Sequence, residues 1–272
     1  MIVLWAGVIS QVKMEKSLFI SKPANIKYWN KDYTRIYFGI EFCEVLLPDE
    51  HDLTHVLDFV DENNLNFTFV TPFVTDKGIS KLRILFKSIK KHRIYKKDIE
   101  IVINDFGVLR LLQNSRFKIL YGRLLNKQKR DPRIIDLMKS DKELAHEFND
   151  MYFDYEPFIR FLKSNRITRV EIDNLLEGIN FNLPKGIHGS LYLPYIYVST
   201  TRMCLFNNKD GQAKINGCKK GCQYHRLKQS SKRFKKEIIL AGNTQFIYNP
   251  KISYNTKDSN IDRIVFQPDI PM

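Results

Sequence analysis

The chain carries four cysteines, Cys43, Cys204, Cys218 and Cys222. The last three form a Cys-x13-Cys-x3-Cys stretch in which Gly217 and Gly221 directly precede Cys218 and Cys222. Four thiols make one complete metal site with none left over. Glycines let the backbone wrap closely around an ion or cluster. Lys219 and Lys220, between the last two cysteines, are expected to lower the thiol pKa values and offset thiolate charge. Other arrangements compete: two disulfides, four unrelated buried thiols acting as small hydrophobes, or a structural zinc with four cysteine ligands. Zinc sites usually show paired short-spaced knuckles, whereas Cys43 and Cys204 each stand alone. An iron–sulfur cluster tolerates irregular spacing and is the reading we favour.

Two carboxylates, Glu171 and Asp105, fall at predicted strand ends and are candidate general acids or bases. Helix capping for Asp105 and a surface ion pair for Glu171 are the competing readings. Arg123, Lys127, Arg130 and Arg133, with Asn126 among them, follow the fifth predicted strand. They are candidates for binding an anionic substrate, because guanidinium forks match carboxylates and phosphates; a solvated loop is the alternative. His188 and His225 are isolated and lack ligand spacing. No Ser-His-Asp arrangement or HExxH helix is legible, which disfavours a hydrolytic peptidase.

These residues need a frame. Apolar runs at Ser17–Ser21, Arg35–Glu41, Asn66–Thr71, Ile99–Asn104, Phe117–Tyr121, Thr168–Ile172, Ser190–Ser199 and Arg263–Gln267 read as eight buried strands. Continuous rather than alternating apolar runs suit parallel strands covered on both faces. Leu53, Val56, Leu57 and Val60 form a helical stripe, as do Ile79, Leu82, Leu85, Phe86 and Ile89, with Asp76 a candidate N-cap. A short helix is expected over Val108–Leu112, and a stunted one around Asn25–Trp29. The alternation predicts an α/β fold, a partly irregular (β/α)8 TIM-like barrel.

We expect one barrel domain over 1–272, with insertions at about 127–165 and 205–250. The first contains helix-like Phe158, Ile159, Phe161 and Leu162. The second holds the three clustered cysteines, a basic run from Lys232 to Lys236, and a β-hairpin pairing Glu237–Leu240 with Gln245–Tyr248. No linker and no internal repeat is visible. Cys43 and Cys204 both lie just beyond predicted strands, so the barrel should bring them to one face, beside a cavity lined by Glu171 and Asp105.

The 272 residues are 43% hydrophobic, enough for a large core, and carry a net charge of +14. The charge fits either nucleic-acid binding or Lys-rich solvated faces. The apolar start, Met1–Ser10, is too short to span a bilayer and lacks the basic region of a signal peptide. We therefore expect a cytoplasmic protein without a membrane span, where clustered cysteines bind metal more often than they form disulfides.

The order of motifs resembles the peptidase U32 (collagenase-like) family, and especially its short UbiV-like members, which act in oxygen-independent ubiquinone hydroxylation. The resemblance is carried by Tyr37-Phe38-Gly39-Ile40-Glu41-Phe42-Cys43, Asp105-Phe106-Gly107-Val108, Gly122-Arg123-Leu124-Leu125-Asn126, Val170-Glu171, the Cys-x3-Cys and the hairpin ending in Tyr248-Asn249. It implies a 4Fe-4S cluster on Cys43, Cys204, Cys218 and Cys222. It also implies a role in oxygen-independent hydroxylation of an organic substrate and a second homologous subunit as partner. The chain departs from the pattern in several places: Ile40 stands where an acidic residue is usual, Glu44–Pro48 replace basic residues, the Lys127–Arg133 stretch and its insertion are not part of the ubiquinone-type pattern, and the cysteine-rich signature of the longer members is absent. The competing expectations are an RNA-binding or RNA-modifying protein and a zinc-stabilised scaffold without chemistry.

Overall fold

Eight short runs of β-branched and aromatic residues become strands, most of them buried on both faces. In the computed structural model they are β1 (Glu15–Ile20), β2 (Arg35–Gly39), β3 (Asn66–Val70), β4 (Glu100–Ile103), β5 (Lys118–Tyr121), β6 (Arg169–Asp173), β7 (His188–Leu193) and, last in the chain, Ile261–Phe266. The structure describes residues 14–141, 143–144, 152–179, 181–207, 218–231, 234–252 and 259–272. The apolar start Met1–Ser10 and the Lys232–Arg233 part of the basic run lie outside them.

All eight strands pair in parallel and close a barrel, with the last strand inserted between β7 and β1. Successive residues alternate between the barrel interior and the outer layer. On β2, Ile36 and Phe38 face the outer core, while Tyr37 packs inside with Phe19, Val70, Val102, Leu120, Tyr192 and Val265.

Helices cover the outside where the periodicity places them. Helix α1 (Glu50–Glu62) buries the stripe Leu53, Val56, Leu57 and Val60, and Asp49 caps its first turn by accepting from the Asp52 amide at 2.8 Å. Each of those side chains contributes roughly 1.5–3 kcal/mol on burial. Helix α2 (Asp76–Lys91) starts one residue earlier than a cap at Asp76 requires: Thr75 holds the N-cap position, and its hydroxyl bonds Glu44 instead. Helix α3 (Phe106–Leu112) begins directly after Asp105. Between Pro23 and Tyr28 the expected stunted helix is a 3-10 helix.

The stretch 127–165 holds α4 (Ile134–Ser140) and α5 (Glu156–Ser164). In α5, Leu162 is buried and Phe158 and Phe161 set their rings against Tyr121 of β5, so α5 serves as the outer helix of the fifth unit.

One strand expectation is corrected. Ser190–Ser199 is two strands, not one. The barrel strand β7 ends at Leu193, and after Pro194 the chain enters β8 (Tyr195–Thr200), which belongs to a different sheet. Proline has no N–H to donate to a ladder, so the break falls there. The second sheet is antiparallel, ordered β8–β11–β10–β9, where β9 is Leu227–Ser231, β10 Phe234–Ala241 and β11 Thr244–Tyr248. The predicted hairpin is β10–β11, with Ala241 paired to Thr244 across a Gly242-Asn243 turn. The barrel's closing strand, Ile261–Phe266, is β12. No helix among the described residues is long and apolar enough to cross a membrane.

Candidate functional site

The loop that follows β2 is set by a glycine. Gly39 has φ +134°, and a Cβ there would lie 2.1 Å from the Val70 carbonyl oxygen, so no other residue lets β2 leave the barrel this close to β3. The chain then runs through Ile40, Glu41 and Phe42 to Cys43, which precedes a short 3-10 helix, Glu44–Leu46. Phe42 is fully buried against Tyr197 of β8 and Phe246 of β11. The barrel loop is thereby fastened to the small sheet.

The tip of the β10–β11 hairpin completes the arrangement. The Asn243 amide donates to the Phe42 carbonyl at 2.7 Å and also to the Thr201 carbonyl, and the Asn243 carbonyl accepts from Thr201 N–H at 3.1 Å. One side chain thus ties the loop carrying Cys43 to the loop carrying Cys204. Gly242 has φ +61°, and a Cβ there would lie 3.0 Å from Cys222 Cβ and 2.6 Å from Met272 Cε. The hairpin therefore seats Cys222 directly beneath its turn.

Cys43, Cys204, Cys218 and Cys222 all line one cavity of about 110 Å³, together with Phe42, Phe73, Arg202, Met203, Asn243 and Met272 among others. All four are free thiols. The sulfurs are not drawn into a tight knot: among the described residues no three of them lie within 4.8 Å of one another. Cys218 Sγ accepts from the Lys220 backbone N–H at 3.4 Å, made possible by Lys220 at φ +54°. The Val45 and Leu46 backbone amides favour the thiolate of Cys43. Burial nevertheless raises the Cys43 thiol pKa, and the neighbouring Cys218 and Cys204 add to that. Burial, reinforced by Cys204, Cys43 and Cys218, pushes Cys222 up to about 11. Lys219 and Lys220 are exposed, and burial, not either lysine, dominates the shifts of Cys43 and Cys222.

The barrel mouth beside this cavity is filled rather than open. Arg123, two residues past β5, is fully buried. Its Nε donates to Glu41 Oε1 at 3.1 Å, its Nη2 to Glu41 Oε2, its Nη1 to Asp173 Oδ1 at 2.7 Å, and its guanidinium lies 3.9 Å from the Tyr192 ring centroid. Arg130 takes the other Asp173 oxygen at 2.7 Å and stacks over Tyr197 at 4.1 Å. Two cations and two carboxylates balance. Burial opposes the Arg123 charge, but Glu41 and Asp173 outweigh it and raise its pKa.

The other predicted residues are dispersed. Asp105 caps α3, accepting from the Gly107 N–H at 2.6 Å, and also holds the Val74 N–H at 3.2 Å. Glu171 lies mid-strand in β6, not at its end, and is fully buried inside the barrel. The Tyr37 hydroxyl donates to its Oε1 at 3.4 Å, Oε2 has no partner among the described residues, and burial pushes its pKa up to about 7 against the pull of Arg263 and Arg169. Neither Asp105 nor Glu171 lines the cysteine cavity. Asn126 donates to the Glu171 carbonyl at 3.1 Å, and with Lys127 it lines a second cavity. Arg133 is exposed and pairs with Asp131. His188 pairs with Asp262 at 2.8 Å, and His225 is exposed. The first turn of α1 brings ligand atoms of Asp49, His51 and Asp52 within 4.8 Å of one another, with Asp49 already engaged as the cap.

Glu41 and Asp173 are the residues that sequence reasoning missed. Asp173 was legible by period two from Glu171 on β6, since both face the barrel interior. Glu41 gave no such signal, because it follows the break that Gly39 makes in the strand.

No protein-family model and no curated protein matches this chain. One solved structure superposes with a TM-score of 0.48 at 8% identity, covering 97% of this chain and 96% of its own. It is described as a U32 peptidase. At that identity and TM-score no residue role passes from it to this chain.

Proposed function

We propose that this chain is an iron–sulfur protein in which Cys43, Cys204, Cys218 and Cys222 hold a 4Fe-4S cluster, and that it carries out or assists an oxygen-independent hydroxylation or related modification of an organic substrate. The observation that carries the metal reading is that the only four cysteines of the chain, from loops on two sheets, line one cavity. Four unrelated buried thiols have no reason to converge. Among the described residues no three of the sulfurs lie within 4.8 Å of one another, so the thiols are not preformed around one tetrahedral ion. A tetrahedral zinc with bonds of about 2.3 Å needs its sulfurs about 3.8 Å apart. A cubane binds each thiolate at a different iron and holds them farther apart. The hydroxylation reading is supported by the order of motifs around those cysteines.

When bound, the cluster would supply one-electron chemistry. The chain's own residues do the rest. Phe42, Leu46 and Met272 shield one side of the cavity from water, and Arg202 places a cation at its wall. The raised thiol pKa values mean that loading the metal displaces protons from Cys43 and Cys222. The filled mouth keeps substrate out of the barrel axis, so an organic substrate approaches from the cavity side.

Anaerobic purification tests this. The protein is expected to be brown, with about four iron and four acid-labile sulfide per chain. Colourless protein holding one zinc per chain would assign the thiols to a structural site and overturn the proposal.

A further inference from the structure

The segment that follows β5 has two faces. Leu124 packs into the apolar cluster behind the cysteines, whereas Leu125, Asn126 and Lys127 turn to a separate cavity of about 340 Å³. That volume lies within the range of small-molecule pockets, roughly 300–1,000 Å³. The cavity opens beside the C-terminal end of β5, the face on which barrels of this type place their ligands.

Its walls are mostly aromatic: Tyr121, Tyr152, Phe153, Tyr155 and Phe158. Part of that wall is rigid. The Tyr121 hydroxyl donates to the Leu125 carbonyl at 2.9 Å, and its ring meets Phe158 edge-on at 5.3 Å. Phe153 is buried between Phe158 and Phe181, with ring centroids at 6.0 and 5.0 Å. Tyr152 and Tyr155, in contrast, are 53% and 56% exposed. Two large rings left half in water beside an aromatic hollow are surface that a third ring would cover.

Among the described residues, Lys127 is the only charged one lining the cavity. Its ammonium lies 5.2 Å from the Tyr152 ring centroid and makes no ion pair among the described residues. Asn126 is fixed by its bond to the Glu171 carbonyl, so the segment presenting Lys127 is anchored to β6. A lone cation at an apolar wall favours one anion, and rings of this density favour a flat partner with exposed π faces.

We propose that this cavity binds a planar aromatic molecule carrying one anionic group, with its ring between the aromatic walls and its anion on Lys127. The site involves neither the cysteines nor a cluster.

Calorimetric titration of the full chain with 2-naphthoate and benzoate, with 2-naphthamide as neutral control and decanoate as aliphatic control, tests it. 2-Naphthoate is expected to bind at one site, at least about tenfold more tightly than either control. Lys127→Met keeps the aliphatic stem and is expected to erase the preference for naphthoate over naphthamide. Tyr152→Ala, at an exposed ring, is expected to weaken both without loss of fold. Arg133→Met, outside the cavity, should change neither. Absence of saturable binding by either aromatic acid, equal affinity for acid and amide, equal affinity for decanoate, or an unaltered preference in Lys127→Met would each overturn the proposal. Iron measured in the same samples keeps the two proposals apart: iron-free protein that binds naphthoate sinks the cluster alone, and iron-loaded protein that does not bind it sinks the pocket alone.

Discussion

Cys43 enters the cavity from 161 residues away in sequence (204 − 43). If one cluster uses all four thiols, its loss is equivalent to the loss of a neighbour of Cys222. Cys43→Ala is expected to lower iron and sulfide content to about the same extent as Cys218→Ala, measured on anaerobic protein. Retention of full iron in Cys43→Ala would restrict the site to the three downstream thiols. Glu171 makes a different prediction, about pH. Its folded pKa of about 7 lies above the usual carboxylate value, chiefly through burial. A raised acid is stabilising while protonated in both states, so its contribution is complete below about pH 4.5 and is lost as pH rises through 7. Denaturant midpoints should therefore fall across that window, by up to roughly 3 kcal/mol of stability. Glu171→Gln is expected to flatten that part of the profile, and an unchanged slope would place the titration elsewhere.

At the scale of elements, the loop after β2, the turn after β5 and the end of β6 are locked together by Glu41, Arg123 and Asp173. Breaking a buried pair by removing one partner leaves an uncompensated charge and typically costs about 3–5 kcal/mol. Arg123→Met should approach that loss in thermal or denaturant unfolding, with the double variant Arg123→Met/Glu41→Gln recovering part of it. Additive losses would mean that the two groups do not interact. The β10–β11 hairpin depends on its turn in a similar way. Gly242→Ala meets both an unfavourable positive φ and contacts with Cys222 and Met272, and is expected to cost about 1–3 kcal/mol. It should also reduce iron content, because the turn that seats Cys222 must move.

At the scale of the whole molecule, the barrel closes through its own ladders, whereas the small sheet meets it through Phe42, Asn243 and the cysteine loops, through Tyr197 against Arg123 and Arg130, and through Asn249 against Asn174. Ligation across that junction would couple the two. Removal of iron by a chelator is expected to lower hydrogen-exchange protection at residues 42–46 and in β10–β11, with β3 and β4 little changed. Uniform loss of protection, or none, would argue against ligands shared between barrel and sheet.

The barrel itself was legible from residues. Its eight strands announce themselves as apolar runs such as Phe67–Val70 and Ile101–Ile103, and the α1 stripe Leu53, Val56, Leu57 and Val60 is buried as its 3.6-residue period demands. Periodicity is local, and local geometry reports it. The four cysteines could be named as one set, because their number and the glycines beside them are properties of the chain. What only the tertiary structure decided is who meets whom. Ser190–Ser199 reads as one strand, yet its two halves join different sheets. Arg123 reads as a substrate clamp, yet Glu41 and Asp173, 82 and 50 residues away, already occupy its fork. Glu171 reads as a mouth residue, yet β6 continues past it to Asp173. Partners that far apart leave no mark in spacing, because closing the barrel, not the local chain, brings them within hydrogen-bond reach.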